Sequence, residues 1–342
     1  MFHALNGWRF VFALMIVWHH LPIPKPLDAD LGNPIVTFFF VLSGFLLTLS
    51  YRDKLLDGRV TSKDFIVKRS ATIFPLQWLF TILFVVCSIN VVSEWAIPFH
   101  LTLSQSLIPL WEINFTLNQP SWFLSSLFFC YLIIPLIIKT VKSRSVYCVL
   151  FILAVASWHV FLYFLPDDIG RRWLCYINPI ARLQDYGTGI LLALYWSEIT
   201  TGFRKLVGTS KVLHTIIECV AIFLIFISLF RQPFPQVSHH LGVGSILLDC
   251  FLCIFVVVFS LGNGLVASVL SFPIFGKLGK IAIAIFMSHG FVMNFAKPIY
   301  DQSVFLYIVI VYGVTIMISF LLEGYYCSYT KQAILRLFSK KQ

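Results

Sequence analysis

The chain of 342 residues is 59% hydrophobic and 12% charged, with a mean hydropathy of +0.88, which excludes an ordinary soluble domain. Its formal net charge of +10 lies mostly in short segments between apolar runs. These basic residues therefore point to membrane topology and to anionic lipid or substrate phosphates, and we expect no nucleic-acid partner.

Apolar windows long enough to cross a bilayer recur along the whole chain. The sequence therefore predicts an all-α polytopic membrane bundle of about ten transmembrane helices, forming one domain over 1–342 without a separate soluble domain. The first window has no small-residue cleavage site before Pro22, so we expect a retained span instead of a signal peptide. The windows lie near 8–22, 33–50, 72–92, 121–138, 145–165, 177–196, 212–230, 241–260, 281–297 and 304–326.

Basic residues are concentrated in alternate loops, which hold 18 of the 25 Lys and Arg residues. By the positive-inside rule, this alternation predicts that both termini are cytoplasmic. The longest outer loop, about 93–120, carries Pro98, Pro109, Trp95 and Trp111 and is expected to be structured or interfacial. The opposite loops hold only Lys25, Arg171, Arg172, Arg231 and Lys297.

Most of the eight cysteines lie inside apolar runs, where a thiol behaves as a small hydrophobic group. Cys250 and Cys253 have the spacing of a metal-binding pair, but they lie within a span and no second pair accompanies them. We therefore predict neither a disulfide framework nor a metal site.

The first window carries Arg9 near one end and a histidine pair near the other, and His20 of that pair is eleven residues from Arg9. On a helix this spacing corresponds to about 1100° and about 16 Å of rise, so both side chains share one stripe, while His19 lies about 80° away. A snorkelling arginine and a hydrogen-bonded core histidine would be the structural alternative. The shared stripe instead favours a long ligand, with Arg9 at its phosphates and His20 acting at its reactive end.

The second and third windows add polar residues at membrane depth. Ser43 is a candidate hydrogen-bond partner without an activating base, and Gly44 predicts close helix packing. Lys68 and Arg69 either anchor the third helix or form the second wall of an anionic pocket beside Arg9. Pro75 is expected in the first turn of that helix.

Further ionisable residues occur in later windows. Arg182 and Asp185 are three residues apart, so a mutual ion pair is the simplest interpretation. His289 is either a hydrogen-bonded core histidine or part of the site. The sequence suggests no partners for the remaining four, Glu218, Asp249, Glu323 and His159.

Several motifs, taken in order, resemble the acyltransferase-3 family of integral membrane acyltransferases. The resemblance covers nearly the whole chain and agrees with ten spans. Three motifs depart in part from the family pattern: Thr72 stands where a second arginine is usual, Ser125 to Leu127 where some members carry a glutamate, and Ala282-Ile283 where a Ser-Tyr pair is frequent. The matching motifs are Leu5 to Arg9 with His20, Phe39 to Gly44, Arg69 to Pro75, Trp122 to Leu124 with Tyr131 and Pro135, and Gly279 to His289.

The resemblance implies transfer of an acyl group, commonly acetyl, from cytoplasmic acyl-CoA to a hydroxyl of a cell-surface glycan such as lipopolysaccharide O-antigen. It implies a catalytic role for His20, as a base or a transient acyl carrier, with Arg9 as its essential companion. Acetyl-CoA would be a donor substrate and no permanently bound cofactor is expected. The remaining candidate substrate-binding residues are Arg69, Lys68, Ser43, Trp122, Arg182, Asp185 and His289.

The expected partners are acyl-CoA, a glycan or lipid-linked saccharide acceptor and membrane lipids, in a bacterial inner membrane. The oligomeric state is left open. A ten-span transporter or flippase for a glycan precursor or amphiphile is the alternative function. It explains the buried charges but not the shared stripe of Arg9 and His20, and no related halves are visible in the sequence.

Overall fold

The computed structural model describes residues 2–24, 31–91, 93–164, 173–229 and 243–339. These residues form α-helices joined by turns and short 3-10 segments, together with two π-helical segments, Trp173–Ile177 and Leu322–Cys327. The prediction of an all-α fold is confirmed. In chain order the α-helices of the described residues are α1 (His3–His20), α2 (Gly32–Leu56), α3 (Ser62–Val86), α4 (Ile97–Thr102), α5 (Trp111–Asn114), α6 (Trp122–Thr140), α7 (Arg144–Phe164), α8 (Pro179–Leu194), α9 (Trp196–Val207), α10 (Lys211–Ser228), α11 (Val243–Leu261), α12 (Leu265–Leu270), α13 (Pro273–Leu278), α14 (Ala282–Tyr300), α15 (Val304–Leu321) and α16 (Ser328–Ser339).

Seven helical stretches of the described residues are long and apolar enough to cross a membrane. Each overlaps one of the predicted windows. The other three windows fall on α1, α8 and α11, so the total of ten spans stays a prediction. The seven stretches are Gly32–Leu56, Ser62–Val86, Gln119–Thr140, Arg144–Phe164, Lys211–Ser228, Pro273–Tyr300 and Val304–Phe338.

Helix α3 begins ten residues before the predicted window, at Ser62 instead of 72. A capping box at its start explains the difference, because the Thr61 side chain accepts from the Asp64 backbone N–H while Asp64 accepts from the Thr61 backbone. The prediction that Pro75 lies in the first turn is therefore wrong. Pro75 lies inside the helix, and its carbonyl accepts a hydrogen bond of 3.1 Å from the Tyr326 hydroxyl.

Helix α2 lies at the centre of the bundle and α7 and α10 at its periphery. Of the membrane-length window in α2, 72% is buried, against 11% in α7 and 22% in α10. Helix α1 packs against α2, α11 and α14. Glycines permit the closest approach, since a Cβ at Gly44 in α2 would overlap the Tyr186 carbonyl of α8, and one at Gly189 would overlap the Val41 carbonyl.

This contact predicts that Gly44→Ala destabilises the protein by about 1–3 kcal/mol, because the added methyl group meets backbone that cannot rotate away. Thermal unfolding in detergent, followed by reaction of the buried Cys130 with a thiol-specific dye, measures the effect. Gly202→Ala is the matched control, since a Cβ at this helical position meets no described atom within 4 Å. Equal melting of the two variants would contradict the packing argument.

Candidate active site

His20, the last residue of α1, lies beside His289 of α14. His20 Nδ1 is 3.1 Å from His289 Nε2, and the ring centroids are 4.9 Å apart with an interplanar angle of 35°. His289 is fully buried, whereas His20 is exposed at the end of its helix. The structure thus joins two candidate residues that the sequence analysis placed in separate motifs 269 positions apart.

The hydrogen bonds of the two rings determine which nitrogens carry protons. His289 Nδ1 is 3.1 Å from the carbonyl of Ile285, which can only accept, so this nitrogen is the donor. In the neutral ring Nε2 then accepts, and His20 Nδ1 must donate to it. The carbonyl of Ile16, 2.9 Å from the same His20 nitrogen, requires the same proton. His20 therefore carries its proton on Nδ1, and its basic lone pair is on Nε2.

Arg9, Ser43 and Arg69 converge on Tyr131 from three different helices. The buried Tyr131 phenol interacts with the Ser43 side chain and electrostatically with both guanidinium groups. Arg69 Nη2 also donates to the Tyr51 hydroxyl at 3.3 Å, while its buried Nε has no partner among the described residues. Both arginines thus act on the same phenol, and an anionic pocket that has Arg69 as its second wall beside Arg9 stays a prediction.

Positive charge exceeds negative charge at this end of α1. Within the described ranges no carboxylate lies within 4 Å of the Arg9 guanidinium, and Glu323 of the second π-helical segment acts on it from a greater distance. Glu323 also interacts with Lys280 and Lys331. A half-buried arginine with so little compensating charge suits an anionic ligand. Lys68 interacts electrostatically with Asp64, and its predicted contact with a substrate stays a prediction.

Arg182 and Asp185 form the predicted ion pair, with Nη1 2.6 Å from Oδ2 and both side chains buried. Arg182 Nε donates to the Tyr176 carbonyl at 2.7 Å, and Nη1 also donates to Thr37 Oγ1 at 3.2 Å. The Trp122 ring lies 5.7 Å from the guanidinium. These contacts tie α8 to α2, so the geometry supplies a structural role for this group, and a substrate contact by Arg182, Asp185 or Trp122 stays a prediction.

Two residues without predicted partners acquire them from distant parts of the chain. Glu218 caps α12 by accepting from the backbone N–H of Gly264 and Val266 at 2.9 and 3.0 Å. Asp249 Oδ2 accepts from Gln184 Nε2 at 2.9 Å. His159 differs, because neither of its ring nitrogens has a partner within the described part of the chain.

The segment 93–121 is structured, as predicted, and packs on α14 beside the histidine pair. His100 is buried in it, with Nε2 2.8 Å from the Ile113 carbonyl and Nδ1 3.3 Å from Ser121 Oγ. Burial lowers the pKa of His100 to about 4, so it is neutral near pH 7. Asn118 Nδ2 donates to the carbonyl of Met287, two residues before His289, at 2.9 Å.

Comparison with known protein families gives a match over most of the chain. The sequence model of acyltransferase 3, described as an acyltransferase domain, matches residues 2–324. The chain belongs to the acyltransferase 3 family. The resemblance inferred from the motifs is thereby confirmed.

Two curated proteins are similar to parts of the chain. Acyltransferase MdmB of Streptomyces mycarofaciens is 31% identical over 228 residues, which cover 56% of each chain. Protein 2 in picA locus of Rhizobium radiobacter is 38% identical over 78 residues, which cover 23% of this chain and 41% of that protein. The matched parts thus span about half of these relatives. No solved structure matches the chain.

Proposed function

We propose that this family member is an integral membrane O-acyltransferase. It would move an acyl group, with acetyl as the expected one, from acyl-CoA to a hydroxyl of a cell-surface glycan such as lipopolysaccharide O-antigen. The observation that carries the proposal is the pairing of His20 with His289 at one end of α1. This pair is about 16 Å of helix rise from the group formed by Arg9, Ser43, Arg69 and Tyr131, which we call the Arg9 cluster.

The Arg9 cluster is the proposed donor site. Acyl-CoA carries its phosphates at one end and its thioester at the other, so it matches a helix with a cationic group near one end and a histidine at the other. Guanidinium groups bind phosphate oxygens through paired N–H donors. Arg9 and Arg69 would take the phosphates, and the Tyr131 phenol with Ser43 would supply neutral hydrogen bonds beside them.

His20 is the proposed base. Its Nε2 lone pair would take the proton of the acceptor hydroxyl as the oxygen attacks the thioester carbonyl. The new C–O bond forms, the C–S bond breaks, and the CoA thiolate leaves and takes the proton from the imidazolium. His289 Nε2 accepts from His20 Nδ1–H throughout, so it orients the ring and stabilises its charged form. Transient acylation of His20 Nε2 is the second route, and the same hydrogen bond would hold the ring for it.

This role predicts that His289→Leu lowers kcat by roughly 10- to 100-fold, the equivalent of losing a hydrogen bond of about 1.5–3 kcal/mol to a charged group. His289→Gln should lose less, because an amide oxygen can still accept from His20. The KM for acyl-CoA should stay within about twofold, since His289 lies far from the Arg9 cluster. Steady-state kinetics of purified protein measures both constants. Wild-type kcat in both variants would contradict the role.

The charge pattern orients the site. With both termini in the cytoplasm, Arg9 faces the cytoplasmic donor and His20 lies towards the outer half of a bacterial inner membrane. Four loop residues of that pattern, Lys25, Arg171, Arg172 and Arg231, lie outside the described residues, as do Lys340 and Lys341. Reporter fusions at each terminus test the orientation.

Mass spectrometry of surface glycans with and without the gene tests the function directly, together with transfer of labelled acetyl from acetyl-CoA by the purified protein. We expect loss of one O-acetyl group in the strain that lacks the gene. Substrate flux in sealed vesicles, without any acyl transfer, would instead support a transporter or flippase and overturn the proposal.

A further inference from the structure

The side chain of Asn118 leaves one polar atom unused. Its Nδ2 donates to the Met287 carbonyl, which fixes the orientation of the amide and identifies Oδ1 as an acceptor. Asn118 is 1% exposed, and its Oδ1 is buried without a hydrogen-bond partner among the described residues. A buried acceptor is normally satisfied, because leaving it without a donor is unfavourable.

The backbone around Asn118 is held in a specific conformation. Leu117 has a φ of 53°, in the left-handed region that a leucine rarely adopts. Its N–H donates to the Asn90 carbonyl at 2.7 Å, and Asn90 Nδ2 donates to the carbonyls of Phe115 and Leu117 at 2.8 Å each. These bonds place the Asn118 amide against α14 at Met287, two residues before His289, at the expense of local strain.

Gly290, the neighbour of His289, leaves room at this place. Among the described residues, a Cβ at this position would have only Asn118 Oδ1 within 4 Å, at 3.5 Å. Gly44 and Gly279 differ, because a Cβ there would overlap a backbone carbonyl of another segment. Those two glycines serve close helix packing, whereas Gly290 does not. It keeps a space open beside the histidine pair and next to the unused acceptor.

We propose that Asn118 and Gly290 form the subsite for the acceptor, which rests on the proposed function. The acceptor class is a polyhydroxylated molecule such as a saccharide. One hydroxyl donates to Asn118 Oδ1, while the neighbouring hydroxyl gives its proton to His20 and takes the acyl group. Asn118 is thus a positioning residue that acts on the acceptor and not on the thioester. Water has no second hydroxyl, so hydrolysis of acetyl-CoA does not need this contact.

The test compares two reactions of purified full-length protein with labelled acetyl-CoA. One is hydrolysis, and the other is transfer to envelope glycan from a strain that lacks the gene. Asn118→Leu and Gly290→Val should each raise the KM for the glycan by about 10-fold or more, as expected for one lost hydrogen bond or a filled subsite. Hydrolysis and the KM for acetyl-CoA should stay within about twofold.

Gly313→Val is the matched control, since a Cβ at Gly313 in α15 meets no described atom within 4 Å. It should leave both reactions unchanged. An unchanged KM for the glycan in both test variants would overturn the proposal. Equal losses of hydrolysis and transfer would also overturn it, because they would make Asn118 a structural tie to α14. If the wild-type protein neither transfers acetyl to the glycan nor hydrolyses acetyl-CoA, the proposed function is wrong, and so is the acceptor subsite that rests on it.

Discussion

Replacement of His20 by alanine should reduce acyl transfer by about 10²- to 10⁴-fold, the usual contribution of a positioned general base. We expect this loss because His20 carries its proton on Nδ1, which faces His289 Nε2 and the Ile16 carbonyl. The basic lone pair of the His20 ring is therefore on Nε2, where it can accept the hydroxyl proton. The measurement is kcat for transfer of labelled acetyl by the purified protein in lipid nanodiscs. The KM for acetyl-CoA should change little, since the proposed phosphate site is near Arg9, about 16 Å of helix rise away.

Two histidine variants serve as controls for this result. His159→Ala removes a half-buried imidazole of α7, whose ring nitrogens have no partner within the described residues, and it should retain wild-type activity. His19→Ala tests whether His20 or its neighbour is the base, because the ring centroids of His19 and His20 are only 5.1 Å apart. Loss of activity in His19→Ala together with full activity in His20→Ala would reject the proposed base. Membrane insertion and thermal unfolding of each variant separate loss of chemistry from loss of fold.

The sequence predicted where helices lie better than where they begin. Each apolar window falls on a helix, because burial in lipid or in the bundle requires long apolar stretches with internally bonded backbone. The start of α3 was missed because its first turns are charged, so they lie outside the apolar window. The capping box of Thr61 and Asp64 nevertheless stabilises these turns as helix. Pro75 was misplaced for the same reason.

In the candidate site, contacts within one helix were predicted from the sequence, whereas contacts between helices were not. Helical periodicity predicted the ion pair of Arg182 and Asp185, since three-residue spacing alone brings them together. The contact of His20 with His289 depends on how α1 packs against α14, which no spacing within either helix reveals. Asn118 was missed for a further reason, because its position depends on the turn at Leu117 and on hydrogen bonds from Asn90.

Replacement of Arg9 by glutamine should lower kcat/KM for acetyl-CoA by about 10- to 100-fold, mainly through KM, because one charge-assisted contact to the phosphates is lost. Arg9→Lys should recover only part of this loss, since an ammonium group lacks the paired donors of a guanidinium. Lys68→Gln is the matched control. Lys68 interacts electrostatically with Asp64, one turn away on the same helix, so we expect less than a threefold change.

Acetyl-pantetheine, which lacks the nucleotide phosphates, shows whether Arg9 acts on those phosphates or on the fold. The wild-type protein should use this donor with a much lower kcat/KM than acetyl-CoA, and Arg9→Gln should not lower it further. The proposal assigns one ligand to both arginines, which act on the same Tyr131, so their losses should not add when Arg9→Gln is combined with Arg69→Gln. Equal losses for both donors in Arg9→Gln would instead make Arg9 a structural residue of α1 and move the phosphates elsewhere. The result therefore decides whether α1 carries one continuous binding site from Arg9 to His20, or a site at His20 alone with Arg9 serving the fold.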